Sequence, residues 1–336
     1  MSRGIVPDQV ALIEMISRKA GNPLGAPRSV CYRWALDLGL RRGGDTILYT
    51  GCLYQLMAYS GSLVSIYERL GRLGIFMARI LYKLSPNLLT WIVSKSVRAD
   101  KDVAQYAERS LRSIVEILRR SGIDPGYLYE DDIYSGVYLY ELGLEEIFAE
   151  HANMVYRILI SNGAKRIITV DPHTTYILRE IYPRFIDSYN IEVLHYIEVI
   201  RAQTIEKKAA PRESEGSGVG GIISPPAIHD SCYMVRKLGL YSMIRSKMKG
   251  MKYIEPRNSG LRATCCGGPI EGISPKLALR IAIRRARELA DIGSGRVIVM
   301  CPICYVNLKR SFRVIGYRAS IQDLSEELAK TKELLA

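Results

Sequence analysis

The chain contains 336 residues, of which 48% are hydrophobic and 24% are charged. This composition excludes a disordered polymer, and the length allows two domains with cores of their own. The formal net charge of +13 at pH 7 favours acidic partners, such as an acidic electron carrier or an anionic membrane surface. We expect no nucleic-acid partner, because the basic residues are spread along the whole chain without a motif to focus them.

Residues 1–48 are predicted to form a helical N-terminal segment with a linker. The first four residues, Met1-Ser2-Arg3-Gly4, lack the charged and apolar regions of a secretory signal. Disulfides need an oxidising compartment, and we therefore place the protein in a reducing cytoplasm. Cys31, the one cysteine of this segment, is expected to be a buried small hydrophobe.

An insertion of about residues 66–103 interrupts the first half of the chain. Between residues 67 and 98, apolar and basic side chains form an amphipathic pattern, and a break around Pro86 divides it into two helices. We expect these helices to pack on their own domain; the alternative is that they lie on the inner face of the cell membrane or dock a partner subunit. The longest apolar stretch, residues 73–93, is interrupted by charges and a proline, which argues against a membrane-spanning helix.

The sequence repeats itself at a constant offset of 130 residues. Residues 157–174 align with residues 287–304, and six positions are identical: Arg157 and Arg287, Leu159 and Leu289, Gly163 and Gly293, Arg166 and Arg296, Ile168 and Ile298, and Pro172 and Pro302. Each copy contains an amphipathic helix, a glycine, a short apolar strand and a loop, which is the order of an α/β unit. We predict an α/β fold of two repeated parallel-sheet domains related by internal duplication, over residues 49–210 and 211–336.

The first repeat has lost most of the candidate ligands of the second. Where the second repeat has cysteines in the loop after its strand, the first has Asp171 and Thr174, and of its own candidate set only Cys52 remains a cysteine. Cys52, Asp171 and His173 are residue types that bind zinc, and they form a candidate vestigial zinc site. The alternative is that His173 caps a loop or lies at the surface.

Five of the seven cysteines lie in the second repeat. They are Cys232, the adjacent pair Cys265 and Cys266, and the Cys-x-x-Cys pair of Cys301 and Cys304. Both pairs lie in turn-forming contexts, where side chains converge. Thiolates are soft ligands that suit iron–sulfur clusters, zinc or cuprous copper and are a poor fit for calcium or magnesium. The pattern therefore predicts a metal or iron–sulfur site on these five residues.

His229 and Asp230 shortly precede Cys232 and are candidates for a supporting role. One of them could donate a proton or a hydrogen bond to a cluster sulfur and so tune the reduction potential. The alternative is that both residues form a turn at the end of the strand that contains Ala227 and Ile228.

These residues together resemble the cysteine-rich CCG-domain proteins, which include subunits B and D of heterodisulfide reductase and the iron–sulfur subunits of glycolate, lactate and anaerobic glycerol-phosphate dehydrogenases. The resemblance covers most of the chain. It rests on the five cysteines, on Gly267 and on the run His229-Asp230-Ser231-Cys232, with support from residues 21–25, Trp34 and residues 49–52. It implies a duplicated α/β protein with electron-transfer chemistry on a 4Fe–4S cluster, which is noncubane in the heterodisulfide reductase members.

We therefore expect an oxidoreductase subunit of a heterodisulfide-reductase-like or flavin-linked dehydrogenase complex, with one cluster on the C-terminal cysteine motif. Many relatives carry a ferredoxin-type segment that residues 1–48 lack, so the resemblance implies a ferredoxin-domain iron–sulfur subunit or a flavoprotein subunit as partner. The first alternative is a non-redox protein that holds structural zinc and docks partners, in which a fifth thiolate would have little to do. The second is a thiol–disulfide enzyme that uses Cys301 and Cys304, which leaves Cys265 and Cys266 unexplained.

Overall fold

The structure is a computed structural model that describes residues 8–201 and 224–330. Its α-helices are α1 (Asp8–Ala20), α2 (Leu53–Leu84), α3 (Pro86–Ser96), α4 (Lys101–Arg120), α5 (Val137–Glu141), α6 (Glu145–Ser161), α7 (Pro172–Tyr176), α8 (Tyr196–Val199), α9 (Tyr241–Lys247), α10 (Pro275–Ala290), α11 (Pro302–Val314) and α12 (Leu324–Ala329). Its strands are β1 (Thr46–Tyr49), β2 (Gly126–Tyr127), β3 (Arg166–Thr169), β4 (Glu192–His195), β5 (Ala227–Ile228), β6 (Arg296–Val299) and β7 (Ser320–Asp323). Helices and strands alternate, which makes this an α/β fold.

Two sheets organise these elements, and all of their strand pairs are parallel. The first sheet has the order β2-β1-β3-β4 and the second has the order β5-β6-β7. In the first sheet Ile168 lies opposite Leu48, and in the second Ile298 lies opposite Ile228. All four side chains are buried, as is typical of parallel strands that are covered by helices on both faces.

The predicted α/β fold with parallel sheets is confirmed. β3 and β6 begin at Arg166 and Arg296, which is the offset of the sequence repeat. The internal duplication itself stays a prediction. The division of the chain between residues 210 and 211 also stays a prediction, because it lies outside the described residues.

The inserted segment is broken where the sequence predicted the break, and α2 has a second break at Gly71, whose φ of 55° and ψ of -170° are not helical. α2 ends at Leu84 and α3 begins at Pro86, whose fixed φ and missing N–H suit the first turn of a helix. α3 contacts α1 and α2, and it buries Leu89 and Val93. No helix within the described residues is long and apolar enough to cross a membrane.

Cys31 is buried as predicted, but it is not a free thiol, which corrects the prediction of a small hydrophobe and removes the absence of disulfides as an argument for a reducing cytoplasm. It forms a disulfide with Cys52, and the two Cα atoms are 4.9 Å apart, a usual separation for a disulfide. The side chains of Gln55 and Tyr127 donate hydrogen bonds to the Cys31 carbonyl oxygen, at 2.7 and 2.9 Å. The two side chains thus hold the N-terminal segment against the start of α2, where Cys52 lies.

One buried carboxylate joins the two halves of the molecule. Asp323 precedes α12 and accepts hydrogen bonds from the hydroxyls of Tyr54 on α2 and Tyr106 on α4, at 2.8 and 2.6 Å. Its other oxygen caps α12 through the backbone N–H of Ser325. Burial raises the pKa of Asp323 to about 6, although these donors act in the opposite direction.

The close approach of β2 to the loop before β1 requires a glycine. A Cβ atom added to Gly126 would lie 1.9 Å from the backbone oxygen of Gly43. We expect Gly126→Ala to lower the free energy of unfolding by about 1–3 kcal/mol, the usual cost of overpacking, because the backbone must move apart.

The matched control for this substitution is Gly61→Ala. Nothing lies within 4 Å of an added Cβ at this position of α2, and alanine is the better helix former by up to about 1 kcal/mol. Urea unfolding followed by circular dichroism measures both variants. Equal midpoints for the two would contradict the packing of β2 described above.

Candidate metal centre

Two neighbouring parallel strands bring the five predicted cysteines together. β5 leads into the loop that carries Cys232, and β6 leads directly to Cys301, the N-cap residue of α11. Cys304 lies in the first turn of α11, and the loop before α10 carries the pair Cys265 and Cys266. The carboxyl ends of adjacent parallel strands lie at the same edge of the sheet, which is where sites in α/β folds form.

The five sulfur atoms are crowded and mostly buried. The Sγ atoms of Cys232 and Cys265 are 3.9 Å apart, and the Cys304 thiol contacts both Cys266 and Cys301. Cys266, Cys301 and Cys304 are 3%, 0% and 2% exposed, respectively. The structure therefore brings all the predicted ligands together in two groups of thiols that contact each other. One group is Cys232 with Cys265, and the other is Cys266 with Cys301 and Cys304.

The thiols perturb each other's ionisation. Hydrogen bonds from Cys232 and Cys266 lower the pKa of Cys265 to about 2. The hydrogen bond between Cys232 and Cys265 raises the pKa of Cys232. Burial would raise the pKa of Cys301, but hydrogen bonds from Cys304 and His173 lower it well below its ordinary value. Few of these sulfurs can be thiolates together unless a positive charge lies among them, and metal ions supply that charge.

A pair of glycines allows the turn after Cys266 to pack closely against both α10 and α11. Gly267 has φ 83°, and a Cβ atom there would lie 2.4 Å from the backbone oxygen of Ala278 on α10. A Cβ atom on Gly268 would lie 2.3 Å from the side chain of Ile303 on α11. The run Cys-Cys-Gly-Gly is therefore a packing requirement as well as a ligand motif.

His229 lies against the thiols, whereas Asp230 does not. A ring nitrogen of His229 and the sulfurs of Cys266 and Cys304 all lie within 4.8 Å of one another. Asp230 instead accepts hydrogen bonds from Arg245 at 2.8 Å and from the backbone N–H of Gly260 at 2.7 Å. These contacts make Asp230 a tie between loops, and only His229 faces the candidate site.

The candidate zinc site on Cys52, Asp171 and His173 is not formed in this structure. Cys52 offers no thiolate, because its sulfur is bonded to Cys31. One carboxylate oxygen of Asp171 accepts the backbone N–H groups of His173 and Thr174, so the side chain caps α7. Burial raises the pKa of Asp171 to about 6.

His173 instead belongs to the surroundings of the second-repeat cysteines. Its ring contacts Cys301, lies 3.2 Å from a carboxylate oxygen of Glu141, and stacks on Tyr233 with ring centroids 3.9 Å apart. The Tyr233 hydroxyl donates to the same Glu141 oxygen at 2.7 Å. Burial would lower the pKa of His173, but Cys301 and Glu141 outweigh it and raise that pKa well above its ordinary value.

Sequence reasoning missed Glu141 and Tyr233. Tyr233 directly follows a predicted ligand, which is a signal that could have identified it. Glu141 lies at the end of α5 and carries no motif. Its contact with Tyr233 spans 92 residues of sequence, so only the fold reveals it.

The comparison with protein families finds one domain that spans these residues. The model of the cysteine-rich domain family CCG matches residues 226–309, a range that includes all five cysteines. The chain carries a CCG cysteine-rich domain. The predicted resemblance to the CCG-domain iron–sulfur proteins is thereby confirmed.

Known proteins with related sequences have the names of redox proteins. Over 233 residues the chain is 29% identical to the "Probable membrane-anchored ferredoxin" of Chromohalobacter salexigens. The aligned region covers 66% of this chain and 33% of that protein. The chain is 22% identical to the "EtfAB:quinone oxidoreductase" of Syntrophomonas wolfei, over 99% of this chain and 42% of the relative. It is 26% identical to the "Probable iron-sulfur-binding oxidoreductase FadF" of Bacillus subtilis, over 61% of this chain and 29% of the relative. The chain therefore spans less than half the length of each of these relatives.

The residues at the site fit an iron–sulfur cluster. The donors are five converging sulfurs, which are the ligand type that iron–sulfur clusters use. The buried Nε2 of His229 and the buried Oγ of Ser231 have no hydrogen-bond partner among the described residues. The His229 ring lies within 4.8 Å of the Cys266 and Cys304 sulfurs, so a cluster bound there would supply the acceptor that Nε2 does not have among the described residues.

We expect Gly267→Ala to abolish the bound iron of protein purified without oxygen. The added Cβ meets the backbone of α10, so the loop that carries Cys265 and Cys266 must move. Gly293→Ala is the matched control, because Gly293 also has a positive φ, 73°, but has nothing within 4 Å of an added Cβ. It bears only the backbone strain of about 1–3 kcal/mol. Full iron content in the Gly267 variant would contradict the packing argument.

Proposed function

We propose that the chain is an iron–sulfur electron-transfer subunit with a single 4Fe–4S cluster held by Cys232, Cys265, Cys266, Cys301 and Cys304. The observation that carries the proposal is the convergence of five thiols at one buried sheet edge within the CCG domain. When bound, such a cluster accepts and passes on electrons at a potential set by its surroundings. The chain's own residues hold the sulfurs in place, exclude water and supply hydrogen bonds.

The alternatives account for less of the site. A structural zinc ion takes four ligands, which leaves one of five converging sulfurs without a role. A thiol–disulfide enzyme needs a partly exposed thiolate, but Cys301 and Cys304 are 0% and 2% exposed. The cluster uses all five cysteines and needs no exposed thiol.

The proposed setting is a heterodisulfide-reductase-like or flavin-linked dehydrogenase complex. All seven cysteines are engaged, because two form the disulfide and five form the candidate site. A ferredoxin-domain iron–sulfur subunit or a flavoprotein subunit is the proposed electron donor, in keeping with the ferredoxin and EtfAB:quinone oxidoreductase names of two relatives.

The test is the iron, zinc and acid-labile sulfide content of protein purified without oxygen. We expect about four iron atoms and about four sulfides per chain, the content of one 4Fe–4S cluster. Cys266→Ser should lose the visible absorption of the cluster, because it removes a buried ligand. The double variant Cys31→Ser with Cys52→Ser is the matched control and should retain it. One zinc per chain without iron would overturn the proposal in favour of a structural metal.

We further propose that the helical insertion rests on an anionic membrane surface, which would place the protein at the inner face of the cell membrane. α2 and α3 expose a group of large apolar side chains, namely Phe76, Met77, Ile80, Leu84, Leu88, Trp91 and Ile92. Lys83 and Lys95 lie on the same two helices and are exposed. Exposed apolar side chains beside lysines match the boundary between acyl chains and anionic headgroups.

Vesicle sedimentation tests this contact. We expect the protein to sediment with vesicles of equal parts phosphatidylglycerol and phosphatidylcholine. Much less of it should sediment with vesicles of phosphatidylcholine alone, because the lysines need an anionic surface. Phe76→Ser with Trp91→Ser should abolish sedimentation. Leu36→Ser is the matched control, since Leu36 and Trp91 are both 59% exposed and Leu36 lies outside the insertion. If the protein ignores both kinds of vesicle, the exposed patch is a surface for a protein partner and the membrane proposal fails.

A further inference from the structure

A fully buried arginine lies behind the histidine of the candidate site. Arg285 on α10 is 0% exposed, and its Nε donates to Nδ1 of His229 at 2.9 Å. Its Nη1 donates to the Glu288 carboxylate at 2.8 Å and to the carbonyl oxygen of Asn258 at 2.9 Å. The Glu288 carboxylate balances the buried positive charge, and the two acceptors of Nη1 hold the guanidinium in place.

This contact determines which ring nitrogen of His229 carries the proton. Guanidinium groups only donate hydrogen bonds and keep their protons in proteins, so Nδ1 must present its lone pair to Arg285. The proton of the neutral ring is then on Nε2. That atom is buried and has no acceptor among the described residues.

The orientation is the reverse of that found at metal-binding histidines. A histidine that ligates a metal donates its other ring N–H to a carboxylate, a carbonyl or water. In this structure the other nitrogen accepts from an arginine. Nε2 is the ring nitrogen left for the thiol site and is therefore a donor, although the distances of at most 4.8 Å to Cys266 and Cys304 alone would allow a ring nitrogen of His229 to be a ligand.

We propose that Arg285 is a positioning residue that holds His229 as an Nε2–H donor to a sulfur of the cluster, and that His229 is not a ligand of the metal. This rests on the proposed function, since it needs a cluster on the five cysteines. An N–H···S hydrogen bond withdraws electron density from the sulfur and stabilises the reduced cluster. His229 thus raises the reduction potential.

The experiment combines metal content, potential and pulsed electron paramagnetic resonance on the full chain. The reduced wild-type protein, labelled with ¹⁵N-histidine, should show weak coupling through a hydrogen bond. His229→Leu should keep its iron and sulfide and shift the midpoint potential downward. His229→Gln, whose side-chain amide can still donate, should recover part of that shift.

Variants of Arg285 test the positioning role. Arg285→Met removes the donor to Nδ1, so the potential should fall in the same direction as in His229→Leu and the ¹⁵N coupling should change. Arg285→Lys keeps a cationic donor and should restore both readouts in part. If Arg285→Met does not fold, the lysine variant and the His229 series still decide the result.

Each remaining outcome is decisive. Strong coupling from a directly bonded nitrogen would show that His229 is a ligand and would overturn the inference. Loss of iron from His229→Leu, as is expected for Cys266→Ser, would do the same. An unchanged potential in His229→Leu would overturn the donor role. Wild-type protein that contains no iron would instead refute the proposed function, and the inference with it.

Discussion

The structure holds five sulfur atoms close together, three of them on buried cysteines and two on partly buried ones. Thiols at van der Waals contact can stay neutral, but thiolates at that distance repel one another strongly in a low-dielectric environment. The divergent pKa shifts of Cys265 and Cys232 express this conflict, since one sulfur is stabilised as an anion only while its neighbour keeps a proton. A cationic cluster core would resolve the conflict for all five at once. Burial then becomes an advantage, because water cannot compete for the sulfurs.

The first half of the chain supports the site although it holds none of its ligands. α7 places His173 against Cys301, and Glu141 connects His173 to Tyr233, the residue that follows Cys232. Farther away, Asp323 joins the second sheet to α2 and α4 through two tyrosine hydroxyls. The cysteine loops are therefore fixed from both halves, and a fragment limited to residues 226–309 would lack the contacts that orient two of its ligands.

The sequence was a good guide where a pattern is local and a poor one where a contact is distant. The strand before Pro302, the break near Pro86 and the converging cysteines all follow from short-range rules of periodicity, turns and strand ends. The Cys31–Cys52 bond could not be foreseen, because two cysteines 21 residues apart pair only if the fold brings them together. The same holds for Arg285 and His229, which are 56 residues apart. An arginine in an amphipathic helix is ordinarily exposed, so no local rule marks Arg285 as buried.

Corresponding loops in the two halves show how little is needed to change their chemistry. After β3, Asp171 occupies the N-cap of α7 and accepts two of the free backbone N–H groups. After β6, Cys301 occupies the N-cap of α11, and the backbone N–H of Cys304 is among the groups that lower the pKa of the Cys301 thiol. The positive end of α11 therefore favours a thiolate. In the first half, Ser135 and Thr174 lie 3.1 Å apart and hydrogen bond to each other, as neutral groups that need no metal. The oxygen side chains of the first loop thus satisfy one another, whereas a positively charged group would be needed to hold the sulfurs of the second loop as thiolates together.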